Sequence, residues 1–248
     1  MRVRGYPDGT PCWVDVAGPS GEFYATLFDW EPRPLDDSYT VFEIRGLAVA
    51  GLRTGLRTGE PAGWLPYLAT GDADATGARV AEAGGTVLRP PTGVATAART
   101  ALVADPAGAV FGLWERFGLP GAQLVNEPGT ACWVELATPQ PDRAVAFYGK
   151  AFGWLDRPGE LDRGHTYTEL YDNDRVMAGL VPGDGPASWE VSFLVAACAA
   201  AVERATVGGG RLVAPIEDLP IGRVAAIADP HGARVRLVEL FPEILDTL

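Results

Sequence analysis

The chain repeats itself, because short motifs in its first half return in the same order in its second half. Pro11-Cys-Trp-Val-Asp-Val-Ala17 returns as Ala131-Cys-Trp-Val-Glu-Leu-Ala137, and Asp105-Pro-Ala-Gly108 returns as Asp229-Pro-His-Gly232. The spacing between matched residues stays between about 120 and 128 along the chain, and a long, nearly fixed period is typical of whole-domain duplication rather than of short solenoid repeats. The chain is therefore expected to fold as two copies of one domain.

Each copy is predicted to mix strands and helices in the same order. In the second half, the apolar run Cys132–Leu136 predicts a strand, and apolar residues at helical spacing predict a helix from about Asp142 to Phe152. Further β-type runs, a second helix and a closing pair of strands follow. The pattern predicts an α+β fold of two tandem domains, residues 1–118 and 131–248, joined by a polar, Gly- and Pro-containing linker at 119–130.

The charge balance excludes several kinds of partner. The formal net charge is −12 and the pI is about 4.6, whereas nucleic acids and anionic membranes are bound by basic surfaces. No apolar run is long enough to span a membrane, and the first residues lack the apolar core of a signal peptide. Three cysteines without C-x-x-C spacing fit a reducing compartment. We expect a cytoplasmic protein that binds neither nucleic acid nor membrane.

Local motifs resemble those of the vicinal oxygen chelate superfamily, which includes glyoxalases, bleomycin-resistance proteins and extradiol dioxygenases. The similar segments are Phe147-Tyr148 followed by Phe152-Gly-Trp154, and Asp229-Pro-His-Gly232 followed by Glu239. The Cys-Trp-Val-Glu-Leu segment is similar to a two-domain actinobacterial subgroup of mycobacterial glyoxalase-like antigens and anthracycline biosynthesis accessory proteins. The resemblance covers nearly the whole chain. It implies that each domain consists of paired βαβββ modules in a curved, partly open barrel-like sheet with helices outside.

The same resemblance implies a divalent metal held by two histidines and one carboxylate. Carried over by position, these sites are Trp13, Trp64 and Glu115 in the first half, and Trp133, Trp189 and Glu239 in the second. An indole has no lone pair to give a metal, so we expect neither a metal nor another cofactor. One metal hypothesis stays open, an all-oxygen site built from Asp15, Glu115, Glu135 and Glu239.

The two histidines suggest no catalytic centre. His231 lies in a predicted tight turn, where a surface role is typical. His165 begins a predicted strand and fits either the rim of a pocket or the surface. No Ser-His-Asp or Cys-His arrangement can be assembled from the sequence, so the catalytic residues, if the chain is an enzyme, are unknown.

Tryptophan at former metal positions suggests a flat surface for a planar ligand instead. Residues two apart on a strand share a face, so Trp13 groups with Asp15 and Trp133 with Glu135. Each concave face is expected to carry two tryptophans and a carboxylate, which would stack on an aromatic ligand and accept hydrogen bonds from it. The predicted ligand-binding residues are Trp13, Asp15, Tyr39, Trp64, Leu68, Glu115, Trp133, Glu135, His165, Tyr167, Trp189, Phe193 and Glu239.

Three functional hypotheses remain open at this point. The favoured one is a metal-free protein that binds a planar, largely apolar natural product for sequestration, resistance or support of antibiotic biosynthesis. The alternative is a glyoxalase-like lyase, isomerase or hydroxylase acting on a small carbonyl or aromatic substrate. In the third hypothesis the tryptophans fill closed cavities and the pair of domains only interacts with other proteins. The chain is expected to be a monomer or a homodimer.

Overall fold

The computed structural model describes residues 1–54, 62–159 and 167–245. The first half contains helices α1 (Gly21–Phe28) and α2 (Ala73–Glu82). Its strands are β1 (Pro11–Ala17), β2 (Glu31–Asp36), β3 (Tyr39–Ile44), β4 (Leu47–Arg53), β5 (Gly63–Thr70), β6 (Thr86–Val94), β7 (Ala98–Ala104) and β8 (Val110–Arg116). They form one eight-stranded sheet in the order β2-β3-β4-β1-β5-β8-β7-β6.

The second half repeats this arrangement. It contains helices α3 (Pro141–Phe152) and α4 (Cys198–Val207), and a short final helix α5 (Pro242–Leu245). Its strands are β9 (Ala131–Thr138), β10 (Leu155–Pro158), β11 (Thr168–Asp172), β12 (Arg175–Pro182), β13 (Ser188–Leu194), β14 (Arg211–Leu219), β15 (Gly222–Ala228) and β16 (Arg234–Leu240). The sheet order is β10-β11-β12-β9-β13-β16-β15-β14.

Each sheet is two βαβββ modules placed side by side. Within a module the first strand pairs in parallel with the last, as β1 does with β4 and β13 with β16. The two modules of a half meet where their first strands run antiparallel, β1 beside β5 and β9 beside β13. The predicted fold class, two tandem domains of paired modules, is confirmed.

The predicted helix of the second half has conventional ends. Pro141 stands in the first turn, where a missing backbone N–H costs nothing. Gly153 ends the helix in the left-handed conformation with φ 77°, and its N–H reaches the carbonyl of Gly149. The buried residues between these ends include Phe147 and Tyr148, so the motif that resembles the family forms the packed face of α3.

All four long helices lie on one face of their sheets, and this face of each half packs against the other half. Helix α1 contacts α4 and α2 contacts α3. Aromatic rings fill the space between the sheets: Phe193 lies 4.8 Å from both Phe28 and Trp64, between ring centroids. Such pairs add about 0.5–1.5 kcal/mol each beyond the burial of their area. The opposite face of each sheet, turned away from the helices, is called the inner face below.

Residues 117–130 connect the sheets and pack against the first half. The backbone N–H of Ala122 donates to the carbonyl of Cys12 at 2.7 Å, and that of Gln123 donates to Ala48 at 2.7 Å. Leu124 is buried. The segment is thus bonded to β1 and β4 through its backbone. Among the residues described, none of the helices combines the length and apolar character needed to cross a bilayer.

Candidate ligand-binding site

A buried polar network stands on the inner face of the first half. Asp15 is fully buried and accepts a hydrogen bond from Arg53 Nε at 2.8 Å. The hydroxyl of Tyr39 donates to the second oxygen of Asp15 at 3.1 Å and accepts from the indole N–H of Trp13 at 2.7 Å. Three of the predicted site residues therefore meet as expected, but they satisfy one another.

Large side chains fill the rest of that inner face. Tyr67 lies against the bare backbone of Gly112, since a Cβ built there would come within 1.9 Å of the ring. Trp114 packs 5.2 Å from Trp13, between ring centroids, and is 1% exposed. A cavity of about 80 Å³ lies beside Tyr39, Arg53 and Tyr67. A cavity of this volume has no room for a ring system.

The second half carries smaller or charged residues at the same positions. Trp13 pairs with Tyr67 across β1 and β5, and Tyr67 with Gly112 across β5 and β8. The corresponding registers pair Trp133 with Ser192 and Ser192 with Arg236. A pocket of about 500 Å³ is lined by Arg236 and Glu190. Its other lining residues include Trp189, Glu217, Val224, Ala226, Arg234 and, from the first half, Ala62–Trp64.

Two carboxylates hold the guanidinium of Arg236 in this half. Arg236 Nη1 donates to Glu135 at 2.6 Å, and Arg236 Nε lies 2.6 Å from Glu190. The side chain of Glu135 is 8% exposed and that of Glu190 is 31% exposed. Burial raises the pKa of the Glu135 carboxyl above its usual range, although the nearby guanidinium opposes the shift. The group has a net charge of −1 when both carboxyls are ionised.

Trp133 and Tyr167 complete this inner face. Six of the seven tryptophans are buried and Trp133 is the exception, with all seven in described parts of the chain. Tyr167 is buried, and burial raises the pKa of its hydroxyl well above the usual range, so the hydroxyl stays protonated. Both rings stand next to Gly179, where an added Cβ would lie 2.2 Å from the Tyr167 hydroxyl oxygen and 3.0 Å from Trp133 Nε1. The inner-face site is defined here as Trp133, Glu135, Tyr167, Glu190, Ser192 and Arg236.

The other two predicted tryptophans lie on the opposite face of their sheets, which corrects the expectation of two per concave face. Trp64 packs edge-on to Tyr24 at 4.9 Å, and Trp189 donates from Nε1 to the hydroxyl of Tyr148 at 3.1 Å. Leu68 and Phe193 share their face and belong to the core between the halves. Strand β5 carries apolar residues on both faces, and in β13 the alternation of apolar and polar residues shows which residues share a face but not which face is inner.

Glu115 and Glu239, two of the predicted ligand-binding carboxylates, instead accept hydrogen bonds at the starts of helices. Glu115 accepts the backbone N–H of Ala73, at the start of α2, at 3.0 Å, and Glu239 accepts that of Cys198, at the start of α4, at 2.8 Å. Each also pairs with an arginine, Arg99 at 2.9 Å and Arg223 at 3.3 Å. The four carboxylates Asp15, Glu115, Glu135 and Glu239 thus have separate partners and do not converge. His165 lies outside the described residues.

Sequence reasoning missed Glu190, Ser192 and Arg236. A signal was present: Glu190 stands between Trp189 and Val191, and Arg236 between two apolar residues, in segments that the pattern predicted to be strands. A charged residue between buried neighbours on a central strand points to a face with its own polar partners.

Comparisons with known proteins agree with this architecture. The family model described as a glyoxalase-like domain matches residues 133–238. CFP32 of Mycobacterium bovis, a protein named as a glyoxylase, is 35% identical over 254 residues, covering 96% of this chain and 97% of that protein. The anthracycline biosynthesis protein DnrV of Streptomyces peucetius is 36% identical over 261 residues, covering 95% of this chain and 94% of that protein.

Solved structures share the fold at low sequence identity. The Mn(II)-bound glyoxalase from Novosphingobium aromaticivorans has a TM-score of 0.64 and 16% identity, over 94% of this chain and 83% of that one. The 2,3-dioxygenase LapB from Pseudomonas sp. KL28 has a TM-score of 0.66 and 15% identity, over 95% and 96%. The fold and the relatives place the chain among proteins that consist of paired βαβββ modules. The chain belongs to the glyoxalase-like family of the vicinal oxygen chelate superfamily, as its motifs suggested.

The residues of this chain do not fit the divalent metal that the fold family implies. In the second half, the guanidinium of Arg236 stands between Glu135 and Glu190 and already supplies the positive charge that they face. In the first half, Arg53 does the same for Asp15. The described residues contain no group of three or more His, Cys, Asp or Glu that could hold a metal ion. No catalytic step is therefore assigned to a metal.

Proposed function

We propose that this protein binds a planar aromatic small molecule, without a metal, at the inner-face site of the second half. The observation that carries the proposal is the difference between the halves: Tyr67 fills the space beside Gly112 on one inner face, whereas Glu190 and Arg236 on the other line a pocket of about 500 Å³. Pockets of roughly 300–1,000 Å³ with a few placed polar groups are typical of small-molecule sites.

The part-exposed indole of Trp133 supplies the stacking surface in this proposal. The charged group of Glu135, Arg236 and Glu190 would orient polar substituents at the edge of the ring system, since fixed ion pairs can accept and donate hydrogen bonds. The similarity to a protein named for anthracycline biosynthesis supports a fused-ring natural product as the ligand class. The role would be sequestration, resistance or support of antibiotic biosynthesis.

A blocking substitution tests the proposal. Titration calorimetry with an anthracycline should show one binding event per wild-type chain, because Tyr67 and Trp114 fill the middle of the first inner face. Ser192→Phe would place a ring beside Trp133 and should abolish binding. Ala200→Phe, on an exposed position of α4, is the matched control and should bind like wild type. Retained binding in the Ser192 variant, or no binding by wild type to any of several fused-ring compounds, would reject the proposal.

A second candidate function is acid–base catalysis on a small carbonyl or aromatic substrate. The observation that favours it is Glu135, a carboxyl whose pKa burial raises, close to the protonated hydroxyl of Tyr167. Carboxyls with raised pKa values are frequent general acids and bases. Incubation with an α-oxoaldehyde and a thiol, with and without added Mn(II), would test it. Turnover that Glu135→Gln abolishes would support catalysis, and a rate equal to that of heat-denatured protein would exclude it for this substrate.

A further inference from the structure

The hydroxyl of Tyr167 is a buried donor without an acceptor. Tyr167 is 9% exposed, and among the described residues its hydroxyl has the indole N–H of Trp133 as a neighbouring donor but no acceptor within hydrogen-bond distance. Buried polar groups are nearly always paired in proteins, and an unpaired one costs free energy of folding. A donor left in this condition at a candidate binding site indicates a missing partner.

The first half shows what the partner would be. There, the equivalent Tyr39 hydroxyl donates to the carboxylate of Asp15 at 3.1 Å and accepts from Trp13 Nε1 at 2.7 Å. In the second half the aromatic pair is kept as Trp133 and Tyr167. The longer side chain of Glu135 reaches Arg236 at 2.6 Å instead. The Tyr167 hydroxyl therefore lacks the carboxylate acceptor that Tyr39 has in the first half.

The hydroxyl lies against the backbone of Gly179. Gly179 has no side chain, and a Cβ added to it would lie 2.2 Å from the Tyr167 hydroxyl oxygen and 3.0 Å from Trp133 Nε1. The phenol O–H and the indole N–H are therefore close to one another, beside the surface that Trp133 offers for stacking. Burial keeps the phenol protonated, because the pKa of the Tyr167 hydroxyl is raised. It can donate to a neutral or anionic oxygen at any ordinary pH.

We infer that the ligand of the inner-face site carries an acceptor oxygen on its ring system, a ring ketone or quinone carbonyl, which takes the hydrogen bond of the Tyr167 hydroxyl. This inference rests on the proposed function and narrows its ligand class from planar aromatics in general to oxygenated, carbonyl-bearing ones. An aromatic hydrocarbon of the same shape would stack on Trp133 but leave the hydroxyl unpaired.

A pair of probes and a pair of variants test the inference. Hydroxymethyl-anthraquinone and hydroxymethyl-anthracene share shape and solubilising group but differ in the ring carbonyls. Wild type should bind the quinone about 5- to 10-fold more tightly than the hydrocarbon, a ratio of affinities that corresponds to the free energy of one neutral hydrogen bond. Tyr167→Phe should remove this preference by lowering the affinity for the quinone alone. Tyr39→Phe, in the closed first half, is the matched control and should keep the preference.

The unliganded variants give a second readout. Tyr167→Phe should leave the melting temperature unchanged or raise it, because it removes an unpaired hydroxyl, whereas Tyr39→Phe should lower it. The inference would be overturned, with the proposed function intact, if wild type bound both probes with equal affinity. The same holds if Tyr167→Phe weakened the binding of both probes equally. A Tyr167→Phe variant destabilised as much as Tyr39→Phe would assign the hydroxyl to an internal partner and also overturn it. Failure of wild type to bind either probe would reject the proposed function, and the inference with it.

Discussion

The hydroxyl of Tyr24 in α1 donates to Oδ2 of Asp229 at 3.1 Å, across the contact between the two halves. Asp229 belongs to the Asp-Pro-His-Gly turn of the second half, and its other oxygen accepts the backbone N–H groups of His231 and Ala233. The same arrangement recurs between Tyr148 of α3 and Asp105 at 3.5 Å. Two motifs that mark the family in the sequence are thus parts of one contact that joins the halves.

Tyr24→Phe should lower the free energy of unfolding by about 1–2 kcal/mol, because it removes a buried hydrogen bond to a charged acceptor. The midpoint of urea denaturation measures the loss. Tyr171→Phe is the control, since Tyr171 is only part-buried and stands outside the interface. A Tyr24 variant as stable as wild type would mean that the bond across the halves contributes nothing.

Arg236→Met should destabilise the protein by about 3–5 kcal/mol near pH 8, because Glu135 is left as a buried charge without a partner. Burial already raises the pKa of Glu135, and removal of the guanidinium raises it further. Between the ordinary glutamate pKa and this raised value the folded state binds more protons than the unfolded state. Stability therefore falls as pH rises through that window, and the variant should recover part of the loss near pH 5.

The rescue variant for this prediction is Glu135→Gln together with Arg236→Met. It has no buried charge at this position, so its stability relative to wild type should vary less between about pH 5 and pH 8. Urea denaturation at both pH values measures each protein. An Arg236 variant that loses the same stability at both pH values would contradict the assigned role of Glu135.

Manganese should leave the wild-type protein unchanged. A ligand that binds only the folded state raises the melting temperature, so a filled metal site would show as a shift of several degrees at about 1 mM Mn(II). Because Arg236 stands between the carboxylates, we expect a shift within the error of the measurement. Elemental analysis of protein purified without chelator is the companion assay. A stoichiometric metal, or a clear thermal shift, would show that a site exists in spite of the guanidinium.

The cysteines should react slowly in the folded protein. Burial raises the pKa of the Cys132 thiol to about 12 and that of Cys198 to about 11, and it raises the pKa of Cys12 well above the usual range. Since the thiolate is the reactive form, Ellman's reagent near pH 8 should modify each at least about 100-fold more slowly than free cysteine. All three should react promptly in concentrated guanidinium chloride. One thiol reacting at the free rate under native conditions would contradict the burial described.

The sequence predicted the central strands and the helices of each half because they have strong apolar periodicity, and the family resemblance implied their arrangement in paired modules. The outer strands β2, β6, β10 and β14 escaped notice for a physical reason. They are paired on one side only, most of their residues are exposed, and all four contain proline, so neither alternation nor composition marks them.

The inner-face site was predicted in part. Strand alternation correctly grouped Trp133 with Glu135 and Trp13 with Asp15 on shared faces. It could not place Trp64 and Trp189, because spacing shows which residues share a face but not which way that face is turned. Nor could it pair Glu135 with Arg236, a contact between residues 101 positions apart that depends on the strand order of the folded sheet.

The bonds Tyr24–Asp229 and Tyr148–Asp105 are reciprocal: each half gives a helix tyrosine and receives one at its turn. Reciprocity of this kind is the mark of an isologous interface, the contact made by two identical subunits about a two-fold axis. The duplicated chain therefore has the form of a homodimer whose subunits have been joined end to end. Once joined, the copies were free to diverge, and mutations in one no longer had to appear in the other.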